Sequence, residues 1–361
     1  MKERGKTPLA HMAETTETEF WNDSCSFSEL KYAIEHGAVG ATTNPVIVGD
    51  VLKKELPLWK ESIENLIKEN PDSNYEDIAW MLNEMMAVEA GKLLLPIFHA
   101  SKGKKGRISI QTNAKYYKSW KEMTDQAVYF NTLAPNMQVK MPATKAGIKA
   151  MEEATAQGVS INATVSFTVA QALAVGEAVE KGLKRAVENG IDISTMSPIC
   201  TIMVGRLDDW VRISGDKSGV ITTPGYIDWA GVAAFKRAYS IFNERGYRTR
   251  LLSAAYRNHL HWSALIGGKV SMTIPYGWQV KFNNSDIEVK HAIDTPVEEH
   301  IIEELMSKYP EFVKGYEPDG LSIEEFDSYG AVVRTLRSFI SGYEGMLGII
   351  RDFMLPNPDV K

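Results

Sequence analysis

Along the whole of this chain, short runs that read as β-strands alternate with longer segments of helical period. Two parallel strands need a crossover of a dozen or more residues, so this rhythm reads as successive βα units. Eight such runs stand out. They are a brief one at Phe20-Trp21 that ends at Asn22-Asp23, then Ala38 to Ala41, Ile108 to Thr112, Met137 to Met141, Val159 to Val165, Cys200 to Val204, Arg250 to Ala255 and Lys269 to Ile274. Eight parallel strands close on themselves, which makes the expected architecture an α/β fold, a (β/α)8 TIM barrel. Ser28 is positioned to cap the first crossover helix, and Gly37 to terminate it. A helical stretch from Ile78 to Phe98 adds material after strand 2, and Thr295 to Met354 reads as C-terminal helices packed on the barrel. No repeat, low-complexity segment or linker interrupts the pattern, so residues 1–361 are expected to form a single domain.

Composition narrows the functional classes. Of 361 residues, 44% are hydrophobic and 24% charged, enough for a large core under a polar surface. Forty basic against 46 acidic residues leave a net charge of -6, which argues against a nucleic-acid partner while leaving room for a small anion in a local cleft. Two cysteines, Cys25 and Cys200, form no disulfide framework and are expected as packing residues in a reducing compartment. The N-terminal MKERGKTPLAHMAETTE has no apolar core behind its charges, and the longest apolar run, Leu93 to Phe98, is too short to span a bilayer. The expectation is a cytoplasmic protein with no membrane partner. No Cys/His set has zinc-like spacing, and neither a P-loop nor a dinucleotide fingerprint occurs, so no metal or cofactor is expected.

Strand parity points to where chemistry would sit. In MQVKM, Met137, Val139 and Met141 share one face, and Gln138 and Lys140 the other. Ile108 and Ile110 alternate with Ser109, Gln111 and Asn113, and Val159, Ile161 and Ala163 alternate with Ser160, Asn162 and Thr164. In a barrel the apolar parity faces the helices, so three consecutive strands aim polar groups inward, toward the C-terminal end that carries barrel active sites. A lysine there is costly while charged, and desolvation favours the free amine, a nucleophile for carbonyls. Parity alone leaves two other readings of Lys140: a strand-end side chain reaching solvent, or a structural ion pair.

The segments around these residues resemble the transaldolase family. They are VGATTNPVIV (39–48), QVKMPATKAGIKAMEE (138–153), SINATVSFTVAQA (160–172), IMVGRLDDW (202–210) and AAYRN (254–258). The resemblance runs nearly the length of the chain and implies a metal-free, Schiff-base barrel enzyme acting on ketose phosphates. It implies that Lys140 forms the Schiff base, that Asp23 takes the C4-hydroxyl proton during cleavage, and that Asn44 binds hydroxyls of the dihydroxyacetone unit. By the same resemblance Asn162 and Thr164 lie near the imine, Thr164 helping to hold a catalytic water, and Arg206 and Arg257 grip the substrate phosphate. The implied partner is a small sugar phosphate. Barrels of this type self-associate in several ways, and the sequence leaves a homo-oligomer open without selecting one.

Three departures bear on the substrate. Gln111 stands where typical transaldolases carry a glutamate that works through the catalytic water, as glutamine does in fructose 6-phosphate aldolases of the same superfamily. Thr201 and Met203 replace a serine and an aromatic residue, and Ala255 replaces a phosphate-binding serine. The leading expectation is transfer of dihydroxyacetone from a ketose phosphate to an aldose. The alternative is a lyase that releases dihydroxyacetone, for which Gln111 speaks. A catalytically silent sugar-phosphate sensor would have lost Lys140 or Asp23, and both are present. His259 and His261 flank the seventh-strand loop, either reaching the sugar's distal end or standing apart from it. Asp208 and Asp209 read as a helix cap or a charge offset to Arg206, and Lys102, Lys104, Lys105 and Arg107 as a solvated loop.

Overall fold

A computed structural model describes residues 6–359. Eight strands, β1 (Glu19–Asn22), β2 (Ala38–Thr42), β3 (Arg107–Gln111), β4 (Met137–Pro142), β5 (Ile161–Ser166), β6 (Ile199–Ile202), β7 (Arg250–Ser253) and β8 (Ser271–Ile274), pair in sequence order. All pairs are parallel, and β8 returns to β1 to close the barrel. This is the (β/α)8 architecture read from the sequence, with strand ends moved by at most two residues. At β6 the strand stops two residues early, because Val204 already starts a helix.

Four helices fill the connection between β2 and β3, and the helical stretch expected from Ile78 to Phe98 is two of them, Tyr75–Lys92 and Leu95–Ala100. Pro96 explains the break: it cannot donate a helical hydrogen bond, but fits the first turn of a new helix. Ser26, not Ser28, caps the first crossover helix, its hydroxyl accepting from the Glu29 N–H. The cap fell two residues early because Phe27 and Ser28 adopt helical geometry themselves. Gly37 follows that helix at φ +98°, a conformation that favours glycine.

Apolar side chains of alternate parity, such as Ile108, Ile110, Val139, Met141, Ile161 and Ala163, are buried against the helices. The other parity fills the barrel axis. Ser109 Oγ donates to Gln138 Oε1 at 3.1 Å, and Gln138 Nε2 donates to the Ser197 carbonyl at 2.7 Å. Below them, Trp21, Ile199, Leu252 and Ala254 form a small apolar cluster of their own. Gly40 is required there, because a Cβ would stand 2.5 Å from the Trp21 ring. Arg107, expected in a solvated loop, is instead buried beside that end of the barrel, its guanidinium donating to the carbonyls of Met137, Gly103 and Thr195. The loop's cationic run misled because Arg107 is the first residue of β3 and takes inward parity. Among the described residues no helix is long and apolar enough to cross a membrane.

The last helix, Gly330–Met354, is 25 residues long and lies over the C-terminal end of the barrel, packing on the helices Pro45–Lys54 and Tyr75–Lys92 and on β5. Tyr343 is held there by the Trp80 indole, which donates to its hydroxyl at 3.1 Å, and by the Glu76 carboxylate.

Candidate active site

Strand β4 carries Lys140 into the barrel with only 3% of its surface exposed. Its amine donates to the Thr43 carbonyl at 3.2 Å, and among the described residues no carboxylate stands within ion-pair distance. Burial pushes the amine below the usual lysine range, against the attraction of Asp23, and the charge of Arg206 pushes the same way as burial. The two bland readings of this lysine therefore do not describe it: the nitrogen is neither in bulk water nor in a closed ion pair.

Asp23 follows β1 directly and is half-buried. Burial raises its carboxyl above the usual range, while Lys140, the Thr42 hydroxyl and Arg206 pull it back. Thr42 Oγ1 donates to Asp23 Oδ1 at 2.7 Å and is in turn 2.7 Å from Thr273 Oγ1. Two barrel threonines thus fix the carboxylate, a support that sequence pattern did not single out. Each of the two groups is desolvated in a direction that favours its neutral form, and each is felt by the other as a charge.

Around this pair the interior is polar. Asn162, fully buried, donates from Nδ2 to Ser109 Oγ at 3.1 Å and accepts at Oδ1 from Thr201 Oγ1 at 2.7 Å. Asn44 uses its Oδ1 to cap the helix Pro45–Lys54, accepting from the N–H groups of Val46 and Ile47. That leaves the Asn44 amide N–H groups for other partners. Gln111 Oε1, Thr164 Oγ1 and Ser166 Oγ are buried with no hydrogen-bond partner among the described residues. Unpaired polar atoms at one end of a barrel mark where a polar ligand or water would be received. Val165, between Thr164 and Ser166, has φ +52°, and the pairing register of β5 with β6 shifts at that point. A β-branched residue in this region is strained by about 1–3 kcal/mol.

Above these groups the mouth divides in two. On one side the helices Tyr75–Lys92 and Gly330–Met354 close over Gln111, with Asn44, Trp80, Asn83, Tyr343 and Met346 around a cleft of about 10 Å³. On the other side an open cavity of about 520 Å³ is walled by Arg206, Asp209, Arg257, Arg334, Thr335 and Arg337. Arg206 opens the helix Val204–Lys217 and Arg257 follows β7, and glycine at 205 lets them meet. A Cβ there would stand 1.9 Å from the Ala255 carbonyl oxygen. Arg206 Nη1 donates to Thr335 Oγ1 at 3.3 Å, with the Phe339 ring 5.6 Å beneath its guanidinium. Arg257 lies in the fork of Asp209, with contacts of 2.8 to 3.2 Å. Asp209 thus pairs directly with Arg257, and its charge also bears on Arg206.

Asp208 and His261 are both buried and hold this wall together. The Arg257 N–H donates to His261 Nδ1 at 3.0 Å, which places the ring proton on Nε2, 2.7 Å from Asp208 Oδ2. Asp208 Oδ1 accepts from the Gly231 N–H. His261 therefore reaches no cavity and orients the Arg257 backbone, while His259 is exposed and pairs with Ser263. Cys25 and Cys200 are buried free thiols, both pushed up to about 12 by desolvation.

A parallel barrel whose interior is polar at the C-terminal ends of its strands, with a sheltered amine there and guanidinium groups at the rim, has the organisation of a (β/α)8 enzyme. The sequence matches the Transaldolase/Fructose-6-phosphate aldolase family over residues 20–324, and the chain belongs to that family. A transaldolase of Thiobacillus denitrificans is 25% identical over 343 residues, 89% of this chain and 91% of the relative. A transaldolase of Kocuria rhizophila is 28% identical over 62% of each chain. The protein named Transaldolase 2 of Streptomyces avermitilis is 29% identical over 56% of this chain and 55% of its own length. The family acts in carbohydrate metabolism, and a sugar phosphate suits it as a substrate class.

Proposed function

We propose that this chain is a Schiff-base transaldolase, moving a dihydroxyacetone unit from a ketose phosphate to an aldose acceptor through Lys140. The observation that carries this reading is the desolvated Lys140 amine, held by a single backbone carbonyl within the field of Asp23. A lysine kept neutral attacks the ketose carbonyl, and the resulting iminium accepts the electron pair released when the C3–C4 bond breaks. Asp23 takes the proton of the C4 hydroxyl as the aldehyde departs, leaving an enamine on Lys140. Asn44 binds hydroxyls of the dihydroxyacetone unit, and Asn162, locked by Ser109 and Thr201, orients the imine. Thr164 and Gln111 hold the water that serves imine formation and hydrolysis. Arg206 and Arg257 bind the phosphate, for which planar guanidinium groups suit paired hydrogen bonds. The closed cleft under Tyr343 and Met346 supports retention of the enamine, since little water can reach it.

Gln111 favours a second reading, a lyase that releases dihydroxyacetone, because an amide can orient a water but cannot take its proton. Incubation with fructose 6-phosphate followed by borohydride should fix one dihydroxyacetone-derived adduct, on Lys140, detectable by peptide mass spectrometry. Lys140→Met should leave no adduct and no turnover. An adduct on another lysine would end the proposal. Added erythrose 4-phosphate then separates the readings: transfer yields a seven-carbon ketose phosphate, the lyase mainly free dihydroxyacetone.

A further inference from the structure

Arg334 and Arg337 stand on the C-terminal helix, one turn apart, and share the 520 Å³ cavity with Arg206 and Arg257. The four guanidinium groups come from three elements: Arg206 from the helix Val204–Lys217, Arg257 from the loop after β7, and Arg334 and Arg337 from the last helix. Their charges are felt across the gap, since Arg257 and Arg334 both bear on Arg206. Only Asp209 faces them as a carboxylate in that lining, and Arg257 already occupies it. Among the described residues Arg334 and Arg337 have no ion-pair partner. Four like charges around one cavity repel one another, and a cavity of one sign focuses the field on whatever anion enters. Thr335 and Phe339, on the same helix, fix Arg206 by a hydrogen bond and by a ring face, so the helix both shapes and charges the cup. Across the gap, residue 255 is an alanine with φ +65°, and offers the cavity no side-chain hydroxyl.

We propose that Arg334 and Arg337 are specificity-determining residues that, from the last helix, join Arg206 and Arg257 in clamping the terminal phosphate of the sugar. The clamp rests on the Schiff-base reading for its substrate, but the anion site is measurable without catalysis. The geometry gives it a division of labour. Arg206 is half-buried and bonded to Thr335, and Arg257 must leave or share Asp209, whereas the two helix arginines are free to close on a dianion. A helix that carries two of the four phosphate donors makes discrimination between phosphorylated and free sugars depend on the docking of that helix.

The test uses full-length Arg334→Gln, Arg337→Gln and the double variant. Inorganic phosphate affinity is measured by calorimetry, and kcat/KM is compared for fructose 6-phosphate and free fructose. Each single change should weaken phosphate binding and lower the phosphorylated-to-free specificity ratio by about fivefold, the double change by more than about tenfold. The loss should sit in KM, and added salt should raise the wild-type KM more steeply than that of the double variant. Arg334→Lys should recover part of the ratio, because it restores the charge without the fork. An unchanged ratio with unchanged phosphate affinity, in variants with wild-type unfolding midpoints, would overturn the clamp. So would an equal loss for both sugars, the mark of a helix that merely packs. Failure of the wild type to trap any ketose on Lys140, with phosphate still bound through the arginines, would remove the catalytic reading and leave the anion clamp standing.

Discussion

At the inner end of the cleft the Lys140 side chain is almost wholly buried and touches a backbone carbonyl, whereas at the outer end the Arg257 side chain is 43% exposed and lies in the fork of Asp209. The inner end gathers few charges and removes water from them; the outer end gathers many and leaves them wet. At the inner end a field acts through a poorly screening medium, so a single carboxylate governs the amine. At the mouth, ions of the solution screen charges over roughly 8 Å at physiological salt, so binding needs several guanidinium groups. The difference teaches that the inner end tunes its groups by desolvation and the outer end by charge density. The two ends can thus be tuned independently.

That separation can be broken most sharply at Asp23. Asp23→Asn should lower kcat by about 10² to 10⁴ while KM for the phosphorylated sugar changes little, if the carboxylate handles the reacting proton and not the phosphate. The same change shifts pH behaviour. Asp23 holds the Lys140 amine up against burial, so removing its charge lets that pKa fall further. The fraction of free amine then grows at low pH, and the acid limb of adduct formation with borohydride should move to lower pH. An acid limb that moves up, or stays, would deny that the two groups are coupled.

A smaller effect is expected at the buried pair behind the mouth. Asp208→Asn removes the acceptor that holds the His261 Nε2 proton, so the ring no longer presents an unprotonated Nδ1 reliably to Arg257. KM for the phosphorylated sugar should rise by roughly tenfold with little change in kcat, and urea titration should show about 1–3 kcal/mol of lost stability. A fall in kcat with unchanged KM would tie this pair to the inner end. The smallest effect is expected at Gln111. Gln111→Glu supplies a proton acceptor in the barrel interior and should raise transfer turnover by a few-fold, roughly the scale of one hydrogen bond. Unchanged or lower turnover in a folded variant would count against Gln111 setting the proton relay.

The inner end was largely legible in the sequence and the outer end was not. Strand alternation is a local pattern, so Ser109, Gln111, Gln138, Lys140, Asn162 and Thr164 could be assigned to one face from their spacing alone. Asp23 and the two wall arginines were reached only through the family resemblance, since nothing local marks them. Arg334 and Arg337 carried a signal, two arginines at i, i+3 on an otherwise amphipathic helix, but the same spacing describes any solvated helix face. Their meaning depends on where the helix lands, more than 70 residues after Arg257, and that is a tertiary fact. His261 failed to reach a cavity for a similar reason: only the fold brings Asp208, 53 residues earlier, into contact with it. The Val165 kink was hidden because VSINATV reads as a regular strand, and strain leaves no mark on composition.

The last helix has a consequence for how the protein comes into being. Every barrel strand is complete by Ile274, yet part of the roof over Gln111 and half of the arginine wall lie between residues 330 and 354. During synthesis the cylinder can therefore close before its cleft is finished, since residues 330–354 emerge only after every strand. A chain cut short after β8 would keep its amine but lose both the shelter above it and two of the positive charges that select what enters.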